Sequence, residues 1–123
     1  MSRNVFTVLV VLLSSLAAYR ATAADAVRGA ERFKVMCATC HAIDPAQKKM
    51  GPHLKGIVGR KAAAVEGFAF SPALKASGWT WDKAKLDAYL ADPKKALPGT
   101  TMMMGASDAA DRADIIAYLE TLK

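Results

Sequence analysis

The sequence predicts an all-α protein of four to five helices, and three observations support this fold class. Residues that start and stop helices recur between positions 24 and 123. Within the segments that they bound, apolar residues repeat at three- and four-residue spacings, which places them on one helical face. No segment alternates apolar and polar residues for long enough to predict a sheet.

A first helix is predicted to begin at Asp25, a good N-cap, and to run toward Cys37. Gly29 and Phe33 lie four positions apart and therefore share one face of this helix. A glycine in that face predicts a close crossing with another helix. The last helix of the chain is the expected neighbour.

Residues 42–70 contain many proline and glycine residues and are predicted to form a long loop. A short second helix follows this loop. Ser71 caps it, Pro72 occupies its first position, and Gly78 ends it.

A third helix is predicted to begin near Thr80 or Asp82 and to stop before Pro93, because proline disfavours helical geometry in the residue before it. A second loop is predicted over residues 93–106, and Ser107 is predicted to cap the last helix. Apolar residues line one face of each: Leu86, Tyr89 and Leu90 in the third helix, and Ile115, Ile116, Tyr118, Leu119 and Leu122 in the last.

Residues 1–23 are predicted to be a secretory signal peptide that is cleaved near Ala23. Arg3 gives a positive start, and residues 5–18 form an apolar run of 14 residues. An uncleaved anchor is the alternative, but about 20 apolar residues are needed to span a bilayer. Cleavage leaves residues 24–123 as one domain, exported to the periplasm, whose 15 basic and 11 acidic residues give a formal charge of +4.

The strongest functional signal is the pentapeptide Cys-Ala-Thr-Cys-His at residues 37–41, which contains both cysteines of the chain. This pattern is typical of c-type haem attachment. Two thiols one helical turn apart can add to the two vinyl groups on one edge of a porphyrin, and His41 then lies under the iron as its proximal ligand. One covalent haem c per chain is therefore the predicted cofactor.

Three other interpretations of the pentapeptide are open but fit less well. A thioredoxin-like redox motif needs a βαβ context, which residues 24–36 lack. A zinc site made of Cys37, Cys40, His41 and His53 matches none of the usual ligand spacings. A disulfide between the two cysteines closes so small a ring that it adds little stability.

A six-coordinate low-spin haem also needs a second axial ligand. The side chains that can supply it are His53, Met50, Met102, Met103 and Met104. A methionine in a loop is the best candidate, because a soft, neutral thioether favours ferrous iron and raises the reduction potential. That choice suits a carrier of single electrons.

Several short motifs in residues 25–123 resemble, in order and spacing, those of class I cytochromes c of the mitochondrial and alphaproteobacterial type, including cytochromes c2 and c550. The matching motifs are residues 37–41, 51–52, 56–60, 67–68, 78–81, 89–90, 93–95, 98–100 and 116–119. The resemblance implies the small cytochrome c fold, in which the helices wrap around one covalently bound haem.

The resemblance also implies specific ligands. Cys37 and Cys40 are expected to form the thioether links to the haem. His41 and Met102 are expected to be the axial ligands, since Met102 lies two residues after the Pro-Gly-Thr triplet. The two methionines that follow Met102 are then expected to be packing residues.

Five further positions resemble residues that support the haem in this family. The Pro52 carbonyl is expected to accept a hydrogen bond from the proximal histidine, which orients the ring. Arg60 and Trp81 resemble the pair that compensates a buried haem propionate. Tyr89 resembles the phenol that donates to the methionine sulfur, and Thr100 the hydroxyl near the propionate edge. From the residues alone, each position also has an ordinary packing or turn interpretation.

A basic surface for partner proteins is implied by Lys49, Lys94 and Lys95, which resemble the ring of lysines around the exposed haem edge. Met36 and Thr101 replace lysines that are common there in mitochondrial proteins. The predicted docking surface is therefore less basic than theirs, and scattered lysines are also ordinary on a solvated face.

Other positions depart from the family pattern or have no predicted role in the site. Phe70 replaces a tyrosine whose hydroxyl reaches a propionate, and Leu74 replaces a polar residue near a buried water. His53 and Trp79 are expected to be structural or surface residues. The polar network inside the protein is therefore predicted to differ from that of the mitochondrial proteins.

These observations predict a soluble, periplasmic, monomeric monohaem cytochrome c that transfers single electrons and is not an enzyme. The expected partners are redox proteins: a bc1-type complex, a terminal oxidase, a photosynthetic reaction centre or a periplasmic dehydrogenase. Nucleic acid is not an expected partner, and contact with a membrane surface is at most transient. The alternative is a gas-binding or peroxidase-like haem protein with an open sixth iron position.

Overall fold

The computed structural model describes residues 22–123, and this range contains five α-helices. They are α1 (Ala26–Met36), α2 (Pro72–Ser77), α3 (Lys83–Ala91), α4 (Pro93–Ala96) and α5 (Ala109–Glu120). β pairing in the described range is limited to an isolated bridge between Lys61 and Thr80, so the all-α prediction is confirmed. No helix in this part of the chain is long and apolar enough to cross a bilayer. The predicted signal peptide, apart from its last two residues, lies outside the described residues.

The crossing of α1 and α5 is close, as the sequence predicts. Gly29 is buried where the two helices meet. A Cβ atom at this position would overlap the backbone carbonyl oxygen of Asp114 and would lie 2.9 Å from Cβ of Tyr118. One turn further along α1, the ring of Phe33 packs against that of Tyr118 with centroids 5.4 Å apart. The absence of a side chain at Gly29 is therefore what allows the two backbones to approach.

A buried carboxylate strengthens this crossing. Asp114 is 7% exposed, and its side chain accepts hydrogen bonds from the Asp25 N–H at 2.8 Å and from Arg28 Nε at 2.9 Å. Arg32 adds an ion pair with Asp111 at 2.9 Å. The hydrogen bonds from Arg28 and Asp25 hold the pKa of Asp114 below its usual range, so the carboxylate is charged at neutral pH.

The apolar core joins α1, α3 and α5 to a group of aromatic rings. Trp81 and Tyr89 are buried, with ring centroids 5.0 Å apart, and Trp79 meets Trp81 edge-on at 5.7 Å. The buried members of the core are Phe33, Ile57, Trp81, Leu86, Tyr89, Leu90, Leu97, Ala106, Ile115, Ile116 and Leu119. The predicted apolar faces of α3 and α5 are thus confirmed.

Capping residues account for most of the helix boundaries. Asp25, Ser71 and Asp82 precede α1, α2 and α3, and each side chain accepts a hydrogen bond from the backbone N–H three residues further on. Gly78 ends α2 in the left-handed conformation, with φ of 64°. The structure confirms these predicted boundaries.

The prediction of an uninterrupted loop over residues 93–106 is wrong, because α4 occupies its first four residues. Asp92 caps this helix by accepting a hydrogen bond from the Lys95 N–H at 3.2 Å. Pro93 then takes the first helical position, where its missing N–H costs nothing. Proline ends the preceding helix here and also starts the next one.

The predicted cap of the last helix is displaced by one residue. Asp108, and not Ser107, precedes α5, and its carboxylate accepts a hydrogen bond from the Asp111 N–H at 2.9 Å. The Ser107 backbone carbonyl instead accepts a hydrogen bond from the Arg112 guanidinium at 2.7 Å. Both residue types favour the cap position, so residue type alone does not decide between them.

Ala63 combines a side chain with a positive φ of 58°, a conformation that otherwise occurs only at glycines in the described range. We expect Ala63→Gly to stabilise the haem-loaded protein by about 0.5–1 kcal/mol, because relief of left-handed strain outweighs the extra freedom of glycine in the unfolded chain. Guanidinium unfolding measures the change. The neighbouring Ala64 has no positive φ, so Ala64→Gly is the matched control and should destabilise. Destabilisation by both variants would contradict the argument.

Candidate haem site

The Cys-Ala-Thr-Cys-His segment follows α1 as one tight turn of backbone. The Cys37 N–H donates to the Phe33 carbonyl at 2.8 Å and so closes the helix. The N–H groups of Cys40 and His41 both donate to the Cys37 carbonyl, at 3.1 and 2.9 Å. Both cysteines are half-buried free thiols, so the structure contains no disulfide between them.

The protonation state of Cys37 argues against a redox-active Cys-x-x-Cys motif. Cys37 packs against the apolar core. Burial raises the pKa of its thiol to about 11, and the neighbouring Cys40 adds to the shift. Redox-active cysteines have lowered pKa values because the thiolate is the reactive form. A buried, protonated thiol of this kind is instead suited to covalent attachment of a cofactor.

His41 is held in one orientation by the residues opposite it. Its Nδ1–H donates to the Pro52 carbonyl at 2.7 Å, which leaves the lone pair of Nε2 free for a metal. Gly51 lies against the ring, since a Cβ atom there would be 2.7 Å from Nδ1. Burial lowers the pKa of His41, although the bond to Pro52 opposes this shift. The imidazole is therefore neutral at pH 7, as a metal ligand must be.

Exposure separates the methionines that are candidates for the second axial ligand. Met50, Met103 and Met104 are 83%, 69% and 74% exposed. Met102 is half-buried and packs against the core. Of these thioethers, that of Met102 is therefore the one placed to bind a metal in the interior of the protein. The expectation that the two following methionines are packing residues is wrong, because the chain turns their side chains into solvent.

A hydroxyl pair holds the loop that carries Met102. Tyr89 Oη and Thr100 Oγ1 are 2.5 Å apart, and Thr100 Oγ1 also accepts a hydrogen bond from the Met102 N–H at 3.3 Å. The resemblance implies that Tyr89 donates to the methionine sulfur, whereas the structure pairs its hydroxyl with Thr100. If Thr100 donates in this pair, the Tyr89 proton is available to another acceptor.

Arg60 is a partly buried cation with no carboxylate partner among residues 22–123. Among the described residues its guanidinium donates to the carbonyls of His53, at 2.9 Å, and Lys55, at 3.1 Å. Burial lowers its pKa from the usual value. Trp81 is buried beside it in the fold, since the Trp81 N–H donates to the Arg60 carbonyl at 2.9 Å. An anionic group bound at this position would supply the missing counter-charge.

The predicted docking lysines lie in two places. Lys49 donates from Nζ to the carbonyl of Ala38, between the two cysteines, so its charge is held at the attachment segment. Lys94 and Lys95 are exposed on α4. None of the three forms an ion pair within the described part of the chain.

The remaining predicted positions have structural surroundings. Phe70 is half-buried and packs against Phe68 with ring centroids 4.7 Å apart. Leu74 and Trp79 are partly buried and pack against the core. Nδ1 of His53 is buried without a hydrogen-bond partner in the structure.

Gly105 is a site-positioning residue that the sequence analysis does not identify. A Cβ atom there would overlap the carbonyl oxygen of Leu90 and lie 3.1 Å from Cδ of Pro93. The same Leu90 carbonyl accepts a hydrogen bond from the Ala106 N–H at 2.7 Å. This contact fixes the methionine segment against the end of α3. A glycine in a loop gives no indication of which distant backbone it meets.

The donor set fits a covalently attached haem. It consists of two thiols on one turn, a neutral imidazole with Nε2 available, a half-buried thioether and a partly buried guanidinium without a counter-charge. Within the described range no cluster of three or more histidine, cysteine or acidic side chains is arranged to hold a metal ion. A small helical domain with this donor set defines the class of monohaem c-type proteins.

Comparisons with known proteins agree with this class. The Cytochrome c family model matches residues 26–123. Cytochrome c2 of Rhodomicrobium vannielii is 46% identical over 112 residues, which cover 89% of this chain and 87% of that protein. The solved structure of cytochrome cH from Methylobacterium extorquens has a TM-score of 0.72 and 50% identity, and the match covers 79% of this chain and 98% of that one. The chain belongs to the cytochrome c family and is a class I c-type cytochrome, whose cofactor is covalently bound haem c.

One relative is much longer than this chain. The cytochrome c-type protein cyt cy of Rhodobacter capsulatus is 48% identical over 99 residues, which cover 80% of this chain and 49% of that protein. The chain therefore spans about half the length of that relative.

Proposed function

We propose that this protein is a soluble, periplasmic electron carrier that moves single electrons between redox proteins and catalyses no reaction of its own. The observation that carries the proposal is that the chain offers two side chains able to bind the iron, a neutral, oriented imidazole at His41 and a half-buried thioether at Met102. Two protein ligands close the iron to substrates. When bound, the haem supplies one-electron chemistry, and the rest of the function lies in how this chain holds it.

Cys37 and Cys40 are proposed to attach the haem through thioether links, with His41 and Met102 as axial ligands. The Pro52 carbonyl keeps His41 in one tautomer and one orientation, so Nε2 would be held ready to bind the iron. Thr100 holds the Met102 backbone in the same way. Because neither ligand needs to move, electron gain and loss require little rearrangement.

Arg60 and Trp81 are proposed to compensate a buried propionate of the haem. Burying a carboxylate away from water costs free energy unless the carboxylate is paired with a cation. Arg60 is a partly buried cation with no acidic partner among the described residues, so the two groups would compensate each other. Tyr89 and Thr100 form a hydroxyl pair at the loop that carries Met102. These residues position the cofactor and do not take part in a reaction.

Docking is proposed to use Lys49, Lys94 and Lys95, whose unpaired charges attract acidic partners. The partner classes that fit are a bc1-type complex, a terminal oxidase, a reaction centre or a periplasmic dehydrogenase. A carrier must release each partner, so weak and transient contacts are expected. Residues 1–23 are proposed to direct export and to be removed.

The optical spectrum of the purified protein tests this function. We expect low-spin spectra in both oxidation states, the long-wavelength methionine-to-iron charge-transfer band in the oxidised protein, and no response to CO. We also expect a purified bc1 complex to reduce the protein and a purified cytochrome c oxidase to oxidise it. A high-spin spectrum that shifts with CO would instead support the gas-binding or peroxidase-like alternative.

A further inference from the structure

Hydrogen bonds hold the segment that carries Met102, residues 100–107, at its two ends. At the first end, Thr100 Oγ1 accepts a hydrogen bond from the Met102 N–H at 3.3 Å. At the second end, the Ala106 N–H donates to the Leu90 carbonyl at 2.7 Å. The three residues before Ala106 form no backbone hydrogen bond in the part of the chain that the structure describes. The position of this methionine segment therefore depends on its two ends.

Arg112 of α5 strengthens the second end together with the Leu90 carbonyl. Its Nη1 donates to the carbonyls of Ala106, at 3.1 Å, and Ser107, at 2.7 Å. Its Nε donates to Oδ1 of Asp87, a residue of α3, at 2.9 Å. The Arg112 side chain is only 12% exposed. One guanidinium therefore joins the methionine segment to both α3 and α5.

The contact with Asp87 and the contacts with the two carbonyls contribute differently. The Asp87 side chain is 54% exposed, so its ion pair with the guanidinium adds little attraction by itself. It orients the guanidinium instead, because a fixed Nε turns Nη1 toward the carbonyls. Ala106 is 2% exposed, and its carbonyl accepts no other hydrogen bond from the described residues. Without Arg112, this buried carbonyl would lose its partner, which costs free energy while the segment stays packed.

We propose that Arg112 and Asp87 are positioning residues for the Met102 ligand, and that they limit how often Met102 leaves the iron. This inference rests on the Met102 ligation proposed above. In the packed arrangement, Arg112 satisfies the carbonyls at the end of the segment. In an open arrangement, in which Met102 has left the iron, water can satisfy them. The Arg112 hydrogen bonds therefore favour the packed arrangement over the open one.

This role matters for an electron carrier because an open iron binds small ligands. The apparent affinity for such a ligand equals its intrinsic affinity multiplied by the fraction of open molecules. A weaker hold on the methionine segment should therefore appear as tighter ligand binding, even when most molecules remain packed. The same measurement does not depend on any partner protein.

Imidazole binding to the ferric protein tests the proposal, because imidazole can reach the iron only after Met102 has left it. We expect Arg112→Gln to raise the apparent imidazole affinity about tenfold, since the packed arrangement then contains an unsatisfied buried carbonyl. Asp87→Asn should raise it about threefold, because the guanidinium loses the carboxylate that orients it. Arg112→Lys should not restore the original affinity, since one ammonium group lacks the fork that joins Asp87 to the carbonyls.

Arg32→Gln is the matched control. Arg32 lies in α1 and pairs with Asp111 of α5 at 2.9 Å, so this variant also removes an ion pair of α5 but none of the contacts with the methionine segment. Its imidazole affinity should equal that of the unaltered protein. Without imidazole, all variants should keep the methionine-to-iron charge-transfer band, because most molecules remain packed.

The outcomes separate the positioning role from the ligation on which it rests. An unchanged imidazole affinity in Arg112→Gln, or an equal rise in Arg32→Gln, would overturn the positioning role while leaving Met102 ligation in place. If Arg112→Gln does not fold, Asp87→Asn decides the question, because Asp87 is half-exposed and its guanidinium partner is kept. If the unaltered protein lacks the charge-transfer band, Met102 ligation itself fails, and the positioning role fails with it.

Discussion

The Met102→Ala variant is expected to lose the methionine-to-iron charge-transfer band and to bind CO. The alanine methyl group cannot reach the iron, so the sixth position opens to water and to small ligands. Without the soft thioether, ferrous iron is less favoured, and the reduction potential should fall by on the order of 0.2 V within the range of about 0.8 V that axial ligands span. Optical spectra with CO and a spectroelectrochemical titration measure these changes.

Met103→Ala and Met104→Ala are the matched controls, because both side chains are mostly exposed. Each should keep the band, the low-spin spectrum and a potential close to that of the unaltered protein. The comparison separates ligation from general damage to the loop, since all three changes remove the same side chain from neighbouring positions. Retention of the band in Met102→Ala, with its loss in a control, would move the axial ligand to that control position.

The helix boundaries were predictable because capping is decided over a few residues. Asp25, Ser71 and Asp82 each satisfy a backbone N–H three residues away, so the sequence alone contains both partners of the contact. The start of α4 is encoded just as locally, because Asp92 and Pro93 repeat the arrangement that starts α2. Pro93 ends α3 and also starts α4, so a proline that stops one helix does not exclude another directly after it. The choice between Ser107 and Asp108 was harder to predict, because both residue types favour the cap position.

The site was predictable where its chemistry lies within a short motif. Residues 37–41 contain two thiols and an imidazole in one turn, and this spacing alone indicates haem attachment. The second axial ligand is harder to predict, because five side chains qualify by chemistry and the resemblance to a known family is what favours Met102. The structure adds exposure as a physical criterion, since of the methionines considered Met102 is the one that packs against the core.

The contacts that support the site could not be predicted from the residues alone, because they join distant segments. Gly51 lies against His41, and Gly105 lies against Leu90. Each requires a residue without a side chain, but a glycine in a sequence does not show which backbone or ring it will meet. The exposure of Met103 and Met104 could not be predicted for the same reason. It follows from the direction of a loop that Leu90, far away in the sequence, fixes in place.

The Gly29→Ala variant is expected to destabilise the protein, which is the opposite of what helix propensity predicts. In an isolated helix, alanine would stabilise by about 1 kcal/mol relative to glycine. Here the added Cβ would overlap the backbone carbonyl oxygen of Asp114, which belongs to α5 and cannot rotate away as a side chain would. Overpacking a close contact usually costs about 1–3 kcal/mol and sometimes more. We expect a net loss of about 2 kcal/mol, because the upper end of this cost exceeds the gain from helix propensity by that amount. Guanidinium unfolding of the haem-loaded protein measures it.

Val27→Ala tests whether the loss comes from the crossing and not from any change in α1. Val27 is exposed on the same helix, so replacing its β-branched side chain should be neutral or stabilise slightly through propensity alone. The separation of α1 and α5 in Gly29→Ala should also loosen the Arg28 and Asp25 hydrogen bonds to Asp114. Its free energy of unfolding should therefore depend less on pH in the acidic range, because a carboxylate whose pKa is less depressed gains less from ionisation in the folded state. Stabilisation by Gly29→Ala would mean that the helices can move apart at little cost, and that the close crossing does not limit stability.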